Sequence, residues 1–267
     1  MLNIHATAII EEGASIAKTV VVGAYAFVGK EVSIGEGSSI GRGAHIEGRT
    51  TIGANCKIFP LASIGTAPQD LKYDGEPTRL IIGDRVTIRE FCQINIGTVG
   101  GGGVTRIGDD CLLMGHVHVA HDNQIGAGCI IANFVALAGH VEIGDFAVIG
   151  GMSAIHQFTR IGSYAMIAGA SAVSQDIPPF VLAEGNRAKV KGLNLIGLRR
   201  RFSREAIDAL KPIYKEVFRT QSAPATAARK ALDRGGLSRE AGSFCEFIVA
   251  SKRGVARAHL AQEKEEV

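Results

Sequence analysis

A parallel β-helix of six-residue repeats, followed by an α-helical domain, is the fold class this sequence predicts, and three observations predict it. Every sixth residue is aliphatic over most of residues 4–173. Glycine often follows that aliphatic residue, and a small residue often sits four places after it. From Ser203 onward the apolar spacing changes to that of an amphipathic helix. A period of six fits neither a single helix nor a heptad coil. It is the mark of hexapeptide-repeat parallel β-helices.

The elements follow in order. Ile4, Ile10, Ile16, Val22, Val28, Ile34, Ile40, Ile46, Ile52, Ile58 and Ile64 open the register, and Ile82, Ile88 and Ile94 resume it. It then runs unbroken from Ile107 to Val173. Each hexad supplies one short strand and one turn, with the aliphatic side chain inward; the following glycine is expected to relieve the backbone at the bend. Three hexads make one triangular coil, and coils stack at about 4.8 Å. One hexad cannot bury its apolar side chain alone, so stability comes from stacking.

Two stretches break the register, APQDLKYDGEPTRL at 67–80 and TVGGGGVTR at 98–106. Insertions in solenoids emerge on one face and often form binding sites. Pro178-Pro179 is expected to halt the repeat, with a connector through Gly192. Ser203 then reads as an N-cap for a helix carrying Ile207, Leu210, Tyr214, Val217 and Phe218. Further helices are expected over 225–232 and 239–250, separated by Gly235-Gly236, and the charged residues 262–267 are expected to fray. The implied domains are 1–190, β-helix, and 191–267, α-helical.

Composition agrees. A hydrophobic content of 46 % with 34 Gly and no Trp suits a solenoid cored by Ile and Val. Cys56, Cys92, Cys111 and Cys129 fall at the small position four after an aliphatic residue, which reads as core packing rather than disulfides or metal ligands. Cys245 has no partner in motif spacing. No signal peptide or membrane-spanning stretch is legible, so a cytoplasmic location is expected. Charge is asymmetric: residues 188–267 carry +8 and the remainder −5. A basic appendage on a mildly acidic solenoid points to an acidic partner.

Residues one coil apart are eighteen apart in sequence, which makes neighbours predictable. Val119, Leu137 and Ile155 share one edge, and His121, His140 and His156 sit beside them. Asp122 lies eighteen before His140, and Gly139 eighteen after His121. Such an edge suits acyl transfer: a histidine takes a proton from a hydroxyl nucleophile, a carboxylate fixes its tautomer, and a backbone N–H binds the oxyanion. No protein nucleophile is required if the acceptor's own hydroxyl attacks.

The stretches QDLKYDGEPTR (69–79), GTVGGGG (97–103), LLMGHVHVAHDN (112–123), AGHV (138–141), GGMSAIHQF (150–158) and GLRRRFSRE (197–205) closely resemble the UDP-N-acetylglucosamine O-acyltransferases of lipid A biosynthesis. The resemblance covers the whole chain. It implies a left-handed winding, although the general crossover rule favours the right hand. It also implies a homotrimer with sites between subunits, which moves an (R)-3-hydroxyacyl group from acyl carrier protein to the glucosamine 3-hydroxyl. No metal or cofactor is implied, because the acyl group arrives on the carrier's phosphopantetheine.

Residue by residue, the resemblance makes His121 the general base, Asp122 its partner and Gly139 the oxyanion donor. It makes Gln69, Asp70, Lys72, His118, His140, His156, Gln157 and Asn194 substrate contacts. Arg200 and Arg201 stand at the nucleotide phosphates, and a diphosphate independently calls for closely placed cations. Gly169 stands where the depth of the acyl groove is limited. Arg204, Lys211, Lys215 and Arg219 would then meet the acidic carrier protein. The chain departs from the family pattern at Ile96, Arg187 and Ile196, which bear on nucleotide and acyl contacts rather than on the catalytic group.

Three rivals compete. The related lipid A N-acyltransferase usually carries a domain ahead of its hexads, whereas here they begin at Ile4. A γ-class carbonic anhydrase uses the same solenoid, and His116 with His121 has its H-x4-H spacing; a zinc site needs a third ligand, and residues 79–115 contain no histidine. A non-enzymatic scaffold would need neither the histidine edge nor the cations.

Overall fold

In the computed structural model, which describes residues 3–258, the chain winds into a left-handed parallel β-helix with a C-terminal helical domain. The three prism faces are sheets of eleven, nine and eight strands. The first starts at Asn3–Ile4, the second at Ile9–Ile10 and the third at Ser15–Ile16. Most strands are only two residues long, an outward residue and an inward aliphatic one. Val119 pairs with Leu137 and Leu137 with Ile155, so the eighteen-residue register holds along the histidine edge. Stacked Ile, Val and Leu fill the prism from Val20 to Val190. Cys56, Cys92, Cys111 and Cys129 are buried and free, and burial pushes the Cys92 thiol up to about 11.

The glycine expectation needs correcting. The residue in the left-handed region lies three places after the inward aliphatic, not one: Tyr25, Leu61, Phe91, His116, Asp122, Phe134, His140 and Phe158 all have φ between 56° and 62°. Glycines directly after the aliphatic have another role. A Cβ on Gly35 would stand 2.7 Å from the Gly53 carbonyl carbon, and one on Gly108 2.7 Å from the backbone of Gly126 and Ala127. They let successive coils approach closely.

Both insertions leave the end of second-face strands, at one corner of the prism. They are shorter than the sequence suggested, because Arg79–Ile82 and Val104–Ile107 are paired third-face strands. The irregular segments are therefore 67–78 and 98–103.

Nor do the two prolines end the solenoid. Ile177 bridges Ile161, and Val181–Glu184 adds to the first face beside Met166–Ile167. Lys189–Leu193 then returns antiparallel and covers that edge. Proline is tolerated because Pro178 and Pro179 occupy the turn between paired segments, where no ladder N–H is required.

Four helices follow: α1 (Leu195–Leu198), α2 (Arg204–Phe218), α3 (Pro224–Arg234) and α4 (Arg239–Ala250). The hydroxyls of Ser203 and Ser238 accept from the Ala206 and Ala241 amides, so α2 and α4 start where capping dictates. Ile207, Leu210, Tyr214, Val217 and Phe218 form the buried stripe expected of α2. Helix α4 is tied back to the prism, with Arg160 stacked over Phe247 and the hydroxyl of Ser251, just past its end, donating to Asp176 at 2.7 Å. No helix among the described residues is long and apolar enough to cross a membrane. The fraying expected at 262–267 lies outside the described residues.

Candidate active site

The second-face corner gathers the expected base, its carboxylate and the glycine amide. His121 sits two places after the inward Val119, and Asp122 takes the left-handed position after it, φ 61°. His121 Nδ1 lies 2.7 Å from Asp122 Oδ2. Both are buried, the Asp122 side chain to within 1 % of complete. Asp122 Oδ1 accepts from the Thr98 amide at 2.8 Å, and Oδ2 accepts from the Thr98 hydroxyl at 2.6 Å. These donors fix the orientation of the carboxylate, and it turns the Nδ1–H of His121 toward itself. Nε2 of that tautomer is left to act as a base.

One coil further on, Gly139 lies under the His121 ring. A Cβ there would stand 2.5 Å from Cε1 and 2.7 Å from Nε2, so glycine is the one residue the ring permits. The Gly139 amide makes no backbone hydrogen bond among the described residues. His140 crosses His121 edge-on at 5.0 Å between ring centroids and stacks on Phe158 at 4.4 Å. Burial pushes the His140 imidazole below its ordinary value, and the nearby Asp122 charge works against that. His118, on the strand before, is also held low by burial, and its Nδ1 is enclosed without a partner.

A cleft of about 450 Å³ opens beside these groups. Asp70, Lys72, Tyr73 and Glu76 line it from the first insertion, Thr98, Val99 and Gly100 from the second, and His140, Gln157 and Phe158 from the coils. His156 is exposed and bonds the Gln157 carbonyl through Nδ1. Arg253, past α4, donates to that carbonyl at 2.7 Å.

Other expected contacts lie elsewhere in this chain. Gln69 is exposed outside the cleft lining. Gly169 follows a first-face strand, at a different corner, with Gly151 beneath it. Arg201 stacks on Phe146 at the third corner, 4.1 Å from its ring, and Arg200 beside it is exposed. Asn194 caps α1, accepting from Gly197, and donates to the Tyr164 carbonyl, so its amide is engaged in holding the fold. His116, the rival zinc ligand, stacks between Phe91 and Phe134 at the first corner, away from His121.

Thr98, Phe158 and Arg253 were not singled out from sequence. Phe158 is eighteen after His140, so the register alone contained its stacking. Thr98 and Arg253 had no such signal. His121, Asp122 and His140 bring donor atoms within 4.8 Å of one another, a spacing a cation could use. Asp122 already accepts three hydrogen bonds, and the His121 nitrogen nearest it is committed to that carboxylate, a donor set built for proton transfer rather than ligation.

A hexapeptide prism with a buried His–Asp pair over a glycine amide defines an acyltransferase. The model of the bacterial transferase hexapeptide, six repeats, matches residues 104–139, and that of UDP N-acetylglucosamine O-acyltransferase, domain 2, matches residues 176–256. The acyl-(acyl-carrier-protein)–UDP-N-acetylglucosamine O-acyltransferase of Sulfurimonas denitrificans is 58 % identical, covering 97 % of this chain and all of the relative. That of Aliarcobacter butzleri is 54 % identical over 96 % of this chain and 98 % of the relative. The structure of UDP-N-acetylglucosamine acyltransferase from Campylobacter jejuni superposes with a TM-score of 0.92 at 46 % identity, over 96 % of this chain and all of that one. The chain belongs to the UDP-N-acetylglucosamine O-acyltransferase family.

Proposed function

We propose that this chain transfers an (R)-3-hydroxyacyl group from acyl carrier protein to the 3-hydroxyl of UDP-N-acetylglucosamine, the first step of lipid A biosynthesis, with His121 as general base. The observation that carries the mechanism is the 2.7 Å contact between His121 Nδ1 and Asp122, with the ring seated on Gly139. His121 Nε2 takes the proton as the sugar oxygen attacks the thioester carbonyl. The Gly139 N–H, without a backbone acceptor of its own, stabilises the tetrahedral oxyanion. The intermediate collapses, the carbon–sulfur bond breaks, and protonated His121 returns its proton to the departing carrier thiolate. Asp122 stabilises the imidazolium between those two transfers.

Asp70, Lys72, His140 and Gln157 line the cleft next to the base and serve as sugar and phosphate contacts. Gly169 and Arg201 belong to the other two corners, so one copy does not gather the whole set. A homotrimer with sites between subunits accounts for that distribution: one subunit supplies the base, while its neighbours supply the acyl groove and the Arg200-Arg201 cations. Lys211, Lys215 and Arg219 edge an apolar groove on the helical domain, a surface suited to the acidic carrier protein. The enzyme works in the cytoplasm, where its carrier substrate is made, and its acyl transfer needs no metal or cofactor.

Mass-spectrometric detection of acyl transfer from a panel of 3-hydroxyacyl carrier proteins tests this reading. His121→Ala is expected to lower kcat at least about a hundredfold while leaving Tm unchanged. Undiminished transfer by the variant would remove His121 as base.

A further inference from the structure

The geometry points to Thr98 as a positioning residue for the His121–Asp122 pair, an inference that rests on the role proposed above for His121. Thr98 opens the second insertion, a segment outside the six-residue register. It precedes a short 3-10 turn at Val99–Gly101, where a threonine hydroxyl ordinarily caps the turn. Here it does not. Its hydroxyl reaches to Asp122 Oδ2, while its amide donates to Oδ1 of the same carboxylate.

The rest of the insertion is shaped around that contact. The Thr98 carbonyl accepts from the Gly101 and Gly103 amides, which folds the loop into a tight cap. A Cβ on Gly101 would stand 2.0 Å from the Asp122 carboxyl carbon, and one on Gly97 2.9 Å from Oδ1. Two glycines therefore bring backbone against the carboxylate where any side chain would displace it. The Thr78 hydroxyl, from the end of the first insertion, donates to the Gly97 carbonyl and braces the same turn. The first insertion thus braces the turn with which the second closes over the carboxylate.

Physical consequences follow from the placement of the donors. The Thr98 hydroxyl shares Oδ2 with His121 Nδ1, so it orients that oxygen toward the imidazole and disperses its charge. Without the hydroxyl, the Oδ2 charge is no longer shared between two donors and falls on His121 Nδ1 alone, which strengthens the attraction of the carboxylate for the imidazolium relative to wild type. The carboxylate is also freer to rotate, which loosens the Nε2 position that reaction requires. A purely structural Thr98 would change stability and leave the proton chemistry alone.

The test compares Thr98→Val, Thr98→Ser, Thr105→Val and His121→Ala by steady-state acyl transfer across a pH series, with Tm for each. Thr98→Val is expected to lose about ten- to a hundredfold in kcat with KM for UDP-N-acetylglucosamine little changed, and to move the acid limb of kcat/KM to higher pH. Thr98→Ser, which keeps the donor, returns most of the rate and the limb. Thr105 accepts from the Asp122 amide rather than touching its carboxylate, so Thr105→Val lowers Tm but leaves the limb in place. Wild-type kcat and an unmoved limb in Thr98→Val overturn the inference, as does Thr98→Ser being as slow as Thr98→Val. If Thr98→Val does not fold, Thr98→Ala removes the same hydroxyl without added bulk; failure of both to fold makes the hydroxyl a folding element and also overturns it. A fully active His121→Ala removes the base assignment itself, whereas an inactive His121→Ala beside a wild-type Thr98→Val removes this inference alone.

Discussion

Two corners of the same prism carry histidine–phenylalanine stacks, and only one of the two sets a buried carboxylate beside its histidine. At the first corner Phe91, His116 and Phe134 stack at 4.7–4.8 Å; at the second His140 stacks on Phe158 at 4.4 Å. The backbone is the same at both, with φ near 60° three residues after the inward aliphatic. Stacking is therefore a product of the repeat, not a sign of a site. What differs is the neighbourhood. Beside His116 stands Gly115, and the corner is open; beside His140 stand His121 and a buried carboxylate that the second insertion covers. A solenoid corner becomes an active site when segments outside the repeat withdraw a charge from water next to a base.

The sharpest way to break this comparison is to add one methyl group at each corner. Gly139→Ala forces a Cβ into the His121 ring and is expected to lower kcat about a hundredfold or more, as expected for a displaced base. Gly115→Ala, the equivalent position at the first corner, meets only Asn133 Nδ2 at 3.2 Å and Glu90 O at 3.4 Å. Its kcat should stay within about twofold of wild type, in keeping with a change remote from the chemistry. Equal losses in the two variants would mean that both corners act alike.

Asp122→Asn comes next. It turns an amide toward groups that all donate, and about a hundredfold loss in kcat is expected as the His121 tautomer is no longer held. His116→Asn, without a carboxylate partner, should keep its rate. Smaller still, Arg201→Ala is expected to raise KM for UDP-N-acetylglucosamine about tenfold with kcat maintained, the loss of roughly one charge-assisted contact. A fall in kcat with KM unmoved would deny Arg201 a binding role.

The least effect lies in pH and stability. Burial holds His118 and His140 below the ordinary histidine value, so the unfolded chain takes up protons before the folded one. Their contribution is intact above pH about 6.5 and declines as pH falls through the window beneath it. Replacing both with Gln should flatten the fall of Tm on the acid side. An unchanged slope would show that these two groups do not set it.

Several features of the site are legible in the sequence. The eighteen-residue register joined His121 to Gly139 and Asp122 to His140, because a period that fixes strand and turn also fixes what lies one coil above. Helix α2 could be read from Ser203 and its apolar stripe. Other features resisted reading for physical reasons. The part Asn194 plays in capping α1 and holding the Tyr164 carbonyl joins segments outside the period and has no spacing to signal it. Pro178-Pro179 looked like an end, yet proline in a turn leaves the ladders on either side intact, and another coil forms.

The sequence by itself determined the prism, its register and the histidine edge, since each depends on residues that repeat at a constant interval and meet their neighbours by stacking. The tertiary structure alone decided that Thr98 and its glycines close over Asp122, that Arg253 reaches Gln157, and that Gly169 and Arg201 stand at other corners. Those contacts join segments outside the period, and no spacing along the chain encodes where an insertion folds back.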